Sequence, residues 1–439
     1  MTLELDDIQN GALQPRPLPY VGAYVLLRVD DKRAGRELLR RLIPALDNAT
    51  KPAAPKRQAW VSVVLTFQGL KALGVPQDSL DSFPVPFQEG MAARAAMLGD
   101  TGENAPENWE FPLGSADVHI AVSALAPDEA RLEAVFAPAR EAMKTLPGVE
   151  PIWRQDCHVP ADKRNPFGFA DGLSNPGIEG TPFLGNNPQE LPSKAGEFFL
   201  GYPNEFGELT PMPTPEVLGR NGTFVAMAKY HTRVAAFRQY LRANAADPAD
   251  EVRIAAKMVG RWPSGAPLTL APNNDDPELG GDPRRNNDFL YAADDARGLK
   301  CPMSSHARRM HPRDSDIIGV SRIHRVMRRG TAYGPMLPPG VLEDDGVDRG
   351  IVFLFIGADL ERQFEFVKKE WVNEGIFIGS KGEKDPMIGP NDGTGLFTIP
   401  QEPVRRRLKG MPAFVTIRGG EYFFAPGLRA LRWLAELET

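Results

Sequence analysis

Cysteine and histidine are scarce in this chain: two and six residues in 439. Cys157 and Cys301 alone can build neither a disulfide framework nor a four-thiolate zinc site. Long apolar runs are missing too. The longest, Ile351 to Ala358, falls far short of the ~20 residues that a membrane-spanning helix needs, so no membrane partner is expected. The first residues, MTLELDDIQNGAL, are acidic and lack a basic region followed by an apolar core. No secretory leader is therefore expected, and the cytoplasm is the expected compartment. Strong charge of one sign is absent as well. A net charge of −6 works against whole-chain attraction to nucleic acid, although a local basic patch remains open. Any metal chemistry must lean on His119, His158, His231, His306, His311 or His324.

Glycine and proline, by contrast, are plentiful at 42 each, which predicts many turns and irregular connections. With 42% hydrophobic and 25% charged residues the chain is an ordinary globular one, long enough for two or three domains. Four strand-then-helix units stand out between the turns. YVGAYVLLRVDD runs into a helix from Lys32 with Leu38, Leu39 and Leu42 on one face. ADVHIAVSAL precedes a helix in which Leu132, Val135, Phe136 and Met143 keep helical spacing. In the second half NGTFVAMAKYHT leads to Val234, Phe237 and Leu241, and RGIVFLFIGADL leads to a helical stripe of Leu360, Phe364, Val367 and Trp371. Strands near Val149–Val159 and Phe414–Phe424 complete each half. The pattern predicts an α+β fold of duplicated ferredoxin-like units, antiparallel sheets with helices on one face, divided into residues 1–215 and 216–439. Long loops are expected over residues 172–220 and 271–288.

Three segments concentrate unusual residues. In GFADG (168–172), Asp171 between glycines is either a turn residue capping its own backbone or a carboxylate that a thin loop presents to a ligand. In CPMSSHARRMHPR (301–313), Ser304 or Ser305 is placed to cap a short helix starting near His306. That histidine is either a satisfied structural residue or a haem-iron ligand, with Arg308, Arg309 and Arg313 available to the propionates. Cys301 reads as a small buried hydrophobe ahead of a thiolate ligand. In IHRVMRRG (323–330), alternation places Arg325, Met327 and Arg329 on one side of a strand and Val326 and Arg328 on the other. The basic residues between Lys300 and Arg329 also suggest a solvated face or a nucleic-acid patch, but aromatics are nearly absent among them.

Taken in order, these three segments resemble the signatures of dye-decolorising (DyP-type) haem peroxidases. The opening stretch LDDIQNGAL…RPLPYVGAYVLLRV and the late segment GADLERQFEFVKKEW are similar to that family too, and the length and start resemble its longer, cytoplasmic-type subgroups. The resemblance implies a dimeric α+β barrel type of fold with haem b bound in the C-terminal half, hydrogen peroxide as oxidant and an aromatic small molecule as reductant. It implies His306 as proximal iron ligand, Asp171 and Arg328 as distal catalytic residues, and Arg313 as a propionate partner. The family usually carries Asn where this chain has His311, which puts a second histidine near the site.

A carboxylate hydrogen-bonded to the ligating imidazole is also expected, with Asp359 first and Glu365 as rival. Tyr333, Trp371 and Trp153 are either packing residues or surface relay points for electrons from substrates too large to reach a buried haem. Two other functions compete: a haem-handling protein that needs neither Asp171 nor Arg328, and a nucleic-acid-binding module using the basic cluster.

Overall fold

The computed structural model describes residues 2–13, 19–50, 59–315, 317 and 319–438. Arg16, Pro17 and Leu18 of the opening stretch lie outside them. Twelve strands are present among the described residues: β1 (Tyr20–Val29), β2 (Trp60–Leu65), β3 (Ile120–Ala126), β4 (Val149–Val159), β5 (Thr223–Thr232), β6 (Met327–Tyr333), β7 (Gly350–Gly357), β8 (Ile376–Phe377), β9 (Ser380–Lys381), β10 (Asp392–Ile399), β11 (Arg406–Pro412) and β12 (Val415–Ala425).

Eight of these strands close into one barrel in the order β1-β3-β2-β12-β5-β7-β6-β4. Strands of both halves therefore share a single sheet, joined where β2 meets β12 (Leu65 opposite Phe424) and where β4 meets β6 (His158 opposite Ala332). Every resolved pairing is antiparallel, as expected. Closure removes the exposed edges that an open sheet would carry.

Helices cover the outside. Leu38, Leu39 and Leu42 of helix Lys32–Leu42 and Leu132, Phe136 and Met143 of helix Glu129–Thr145 pack on Val25, Leu27, Val63 and Val122. Asp31 and Asp128 start these helices by accepting the backbone N–H three residues on, at 2.8 and 2.9 Å. The alternate residues of the same strands, among them Tyr24, Leu26, Ala121, Val225 and Phe423, fill the barrel interior.

The segment after β7 departs from the expected α-helix. It winds as two wider, π-type turns, Leu360–Glu365 and Val367–Asn373. This winding takes polar Gln363, Glu365 and Lys368 into the protein beside Leu360, Phe364 and Trp371, while Val367 is only partly covered. Wider turns of this kind are rare and often occur at functional sites.

Glu421 of β12 is 6% exposed, and burial pushes its carboxyl up to about 8. The native state then holds a proton that the unfolded chain releases in the ordinary carboxylate range, so this residue's contribution to stability falls as pH rises toward 8. Relative to Glu421→Gln, the parent is expected to lose up to about 1.4 kcal/mol per pH unit between pH 5 and 8. Denaturant unfolding of both proteins across that range checks it; a constant difference would show that the carboxyl titrates normally.

Candidate active site

The two faces of the barrel wall lead to different places. In β6, Met327 and Arg329 point to the interior, while Arg328, together with Val326 just before the strand, lines a cavity on the outside, the alternation read from the sequence. In β7, Phe355 lines the same outer cavity and Leu354 and Ile356 face inward. The outer cavity holds about 680 Å³ of space not filled by protein atoms, part of it open solvent at its mouth. Its walls are mostly apolar, with Met310, Val326, Phe355, Phe364 and Ile388 among them.

His306 opens the short helix His306–Met310, with Ser305 at its N-cap. The Ser305 hydroxyl donates to the Lys257 carbonyl rather than capping this helix. The imidazole Nδ1 lies 2.9 Å from Asp385 Oδ2. Asp385 is fully buried, and its Oδ1 accepts the backbone N–H groups of Met387 and Ile388 at 2.8 and 2.9 Å. Burial alone would raise this carboxyl, but His306 and Arg309 outweigh it and hold Asp385 below its ordinary range. An ionised carboxylate only accepts, so Nδ1 carries the hydrogen and Nε2 keeps its lone pair. Nε2 has no hydrogen-bond partner among the described residues, and the side chain is 30% exposed. Met310, one turn on from His306, and Ile388, three residues after Asp385, both belong to the cavity wall.

The expected carboxylates are thus replaced by Asp385. Asp359 instead accepts the Arg362 N–H at the start of the wide helix, and Glu365 pairs with Arg94 and accepts the Tyr422 hydroxyl at 2.8 Å. Asp385 lies in a loop, where Asp-Pro signals only a turn. No periodicity links it to His306, 79 residues away.

Asp171 sits on its loop as an exposed residue. Its N–H donates to the Lys163 carbonyl at 2.9 Å and its Oδ1 accepts the Gly172 N–H at 2.6 Å. Gly168 (φ 89°) and Gly172 (φ 71°) take the left-handed backbone that this thin loop requires. The loop is fastened to β6: Arg328 donates from its guanidinium to the Ser174 carbonyl and from its backbone N–H to Asn175 Oδ1 at 2.9 Å. Asp171 and Arg328 come close enough to act on each other electrostatically. Desolvation, reinforced by Arg325, pushes the Arg328 guanidinium down to about 10 against the opposing pull of Asp171, which leaves it cationic at neutral pH.

Arg313 faces Asn287. It donates to the carbonyls of Asn287 and Phe289 at 3.0 and 2.7 Å and to Asn287 Oδ1 at 2.8 Å, over the Phe289 ring. Asn287 Nδ2 in turn donates to the Leu173 carbonyl in the Asp171 loop at 2.7 Å. Arg308 and Arg309, by contrast, are buried against backbone carbonyls. Arg308 donates to those of Asp295 and Cys301, and Arg309 to those of Ser304, Trp371 and Glu383. Both are thereby removed as propionate partners. Arg329 is buried as well, so these arginines do not form a solvated face.

Two other histidines lie nearby. His311 is buried, its Nε2 engaged by Glu190 at 2.7 Å and by Arg325. His324 lines the cavity, stacked on Phe366 at 3.8 Å, with Nδ1 2.6 Å from the Arg362 carbonyl. A neutral carbonyl enriches an imidazole less than a carboxylate does, which favours His306 as the donor. Burial pushes the Cys301 thiol up, so no thiolate competes. Tyr333 and Trp371 are buried rather than at the surface, and Trp153 is partly covered, its Nε1 donating to Glu110 at 2.7 Å.

These residues fit the expected haem. Arg313, Arg325 and Arg328 repel one another, with Glu190 as the buried carboxylate among them. Such a cationic surplus in a low-dielectric site is costly unless an anion joins it, and a propionate is an anion of the right kind. Apolar walls suit the macrocycle, and His306 offers a lone pair. Among the described residues no cluster of three or more metal-binding side chains exists, but a haem iron needs just one protein ligand.

Asp385→Asn is expected to weaken haem binding by about 10–100-fold, while Asp359→Ala leaves it unchanged and costs only the helix cap, about 1 kcal/mol. Haem titration of the two apoproteins, with unfolding curves, separates them. Equal affinities would remove Asp385 as the partner of His306.

No protein-family model matches the chain. It is 32% identical over 404 residues to the multifunctional dye peroxidase DyP2 of Amycolatopsis sp., covering 85% of this chain and 82% of that one. It is 30% identical over 427 residues to the dye-decolorizing peroxidase msp1 of Mycetinis scorodonius, covering 90% and 79%. A solved fungal DyP-type peroxidase from Auricularia auricula-judae matches with a TM-score of 0.85 at 26% identity, covering 99% of this chain and 100% of that one. Among the described residues no helix is long and apolar enough to cross a membrane. With sequence and fold in agreement over most of its length, this chain belongs to the dye-decolorizing peroxidase family and is a peroxidase.

Proposed function

We propose that the chain is a haem b peroxidase that reduces hydrogen peroxide and oxidises phenols, dyes and similar aromatic donors. The observation that carries this reading is the joining of the Asp171 loop to Arg328 through Ser174 and Asn175, which holds a carboxylate and a guanidinium in one field beside an apolar cavity. When bound through His306 Nε2, the haem supplies the iron at which the O–O bond is reduced. The protein side of the work belongs to four residues. Asp385 keeps the Nδ1 hydrogen of His306 in place and makes the imidazole a stronger donor. Asp171 takes the proton from one peroxide oxygen and delivers it to the other, which leaves as water. Arg328, cationic at neutral pH, donates hydrogen bonds to the hydroperoxide anion without giving up its own proton. Arg325 and Arg328 are the guanidiniums with donors open to propionates. Arg313 joins them through its remaining hydrogens, while its main bonds hold Asn287 and thereby the Asp171 loop.

For the reductant, a related dye-decolorizing peroxidase has been solved in complex with 2,6-dimethoxyphenol, which supports phenols as donors.

His306→Ala is expected to abolish haem retention and the Soret band, whereas His324→Phe keeps both. Asp171→Asn and Arg328→Leu should retain haem but lower the rate of peroxide turnover by about 10²–10⁴-fold for the proton-transfer residue. Absorption spectra and stopped-flow peroxide reactions decide the matter. Haem retention by His306→Ala together with its loss from His324→Phe would move the ligand, and full turnover in both distal variants would reject the peroxide chemistry assigned to them.

A further inference from the structure

We infer that the barrel interior is a second ligand site, separate from the haem cavity, that binds a small neutral molecule with an apolar body and one hydroxyl group. It holds about 720 Å³ of space not filled by protein atoms, part of it open solvent at its mouth. Strand alternation separates it from the haem cavity. Leu354 and Ile356 line it while Phe355 between them lines the other, and Val225 and Met227 line it while Tyr230 of the same strand faces the other.

The lining sets the ligand's chemistry. Among the described residues no charged side chain lines the space, which favours a neutral ligand. Trp60, Val64, Met227, Leu354, Ile356 and Phe423 supply an apolar surface. The polar groups in the wall divide sharply. Gln9 is fully engaged: its Nε2 donates to the carbonyls of Val63 and Pro426, both at 2.9 Å, and its Oε1 accepts the Val63 N–H at 3.1 Å. The Tyr24 hydroxyl is 3.1 Å from Thr331 Oγ1. Ser62 and Ser123 are different. They stand opposite each other on β2 and β3, both face the space, and neither hydroxyl has a hydrogen-bond partner among the described residues. Two adjacent hydroxyls in an otherwise apolar chamber call for one group that can both donate and accept.

The chain also closes this chamber itself. The short helix Asn10–Leu13 covers the Ser62 end, anchored by Gln9. Gly11 permits the close fit, because a Cβ there would meet Ser62 Oγ at 2.1 Å. The helix walls off the Ser62 end of the site.

Cyclohexanol is a suitable probe, being neutral, of single-ring size and no electron donor to a resting peroxidase. In calorimetric titration of the haem-loaded protein without peroxide, it should bind with no change in the Soret band. Ser62→Ala/Ser123→Ala should lower its affinity about tenfold, the worth of one or two hydrogen bonds. Ala121→Leu, which fills the chamber, should abolish binding and leave peroxide turnover unchanged. The serine variant removes only two oxygen atoms, so the test stands even if the filled variant folds poorly. Absence of binding up to the solubility limit would overturn the inference. So would equal affinity in the parent and serine variant, a Soret shift on binding, or a soaked crystal with only water on Ser62 and Ser123.

Discussion

The constraint on which the rest depends is the two-residue period of strands closed into a barrel. Because the sheet has no edge, every strand residue is committed to the inside or the outside, and a shift of one position would exchange the two sets. In β6 this places Arg328 toward the outer cavity and Met327 and Arg329 toward the core. In β7 it does the same for Phe355 against Leu354 and Ile356. A site built on one face of such a wall inherits its rigidity, and positioning within a few tenths of an ångström is what hydrogen-bond catalysis requires.

The distal loop is not part of that wall and must be fastened to it. Residues 168–177 carry few apolar anchors, so hydrogen bonds do the fastening. Arg328 holds Ser174 and Asn175, and Asn287 holds Leu173 while Arg261 and Arg313 hold Asn287. Arg328 thus both faces the cavity and anchors the loop that carries Asp171. This coupling means that removing its side chain disturbs the carboxylate as well as the cation. The two effects are non-additive by construction, and only a double-mutant cycle can apportion them.

Legibility in the sequence followed periodicity. Helix Lys32–Leu42, helix Glu129–Thr145 and the strand ending each half were readable because their apolar residues repeat at fixed spacing. Joining of both halves in a single barrel was legible only through the family resemblance, since β2–β12 and β4–β6 pairing is a long-range contact without local signature. The Leu360–Asn373 stretch had the right stripe but the wrong winding, as the wide turns bury Glu365, which a strict 3.6-residue repeat would leave outside. The arginines after Cys301 read as solvent-facing because buried guanidiniums are uncommon. Here backbone carbonyls and the rings of Tyr291 and Phe377 accommodate Arg308 and Arg309. Asp171, His306 and Arg328 were singled out by motif order alone.

On the ligation proposed for His306, Asp385 is what would make a chain so poor in histidine able to offer an electron-rich imidazole. The carboxylate is buried, where charge is disfavoured, yet it receives two backbone N–H groups from its own turn and one from the imidazole. Those bonds keep it ionised, and an ionised acceptor polarises the ring more than a carbonyl such as that of Arg362 polarises His324. Among the imidazoles near the cavity, His306 alone combines an anionic partner on Nδ1 with an unbonded Nε2, since His311 gives its Nε2 to Glu190 and Arg325. What sets His306 apart from the other imidazoles is therefore what stands behind the ring, in a loop 79 residues downstream.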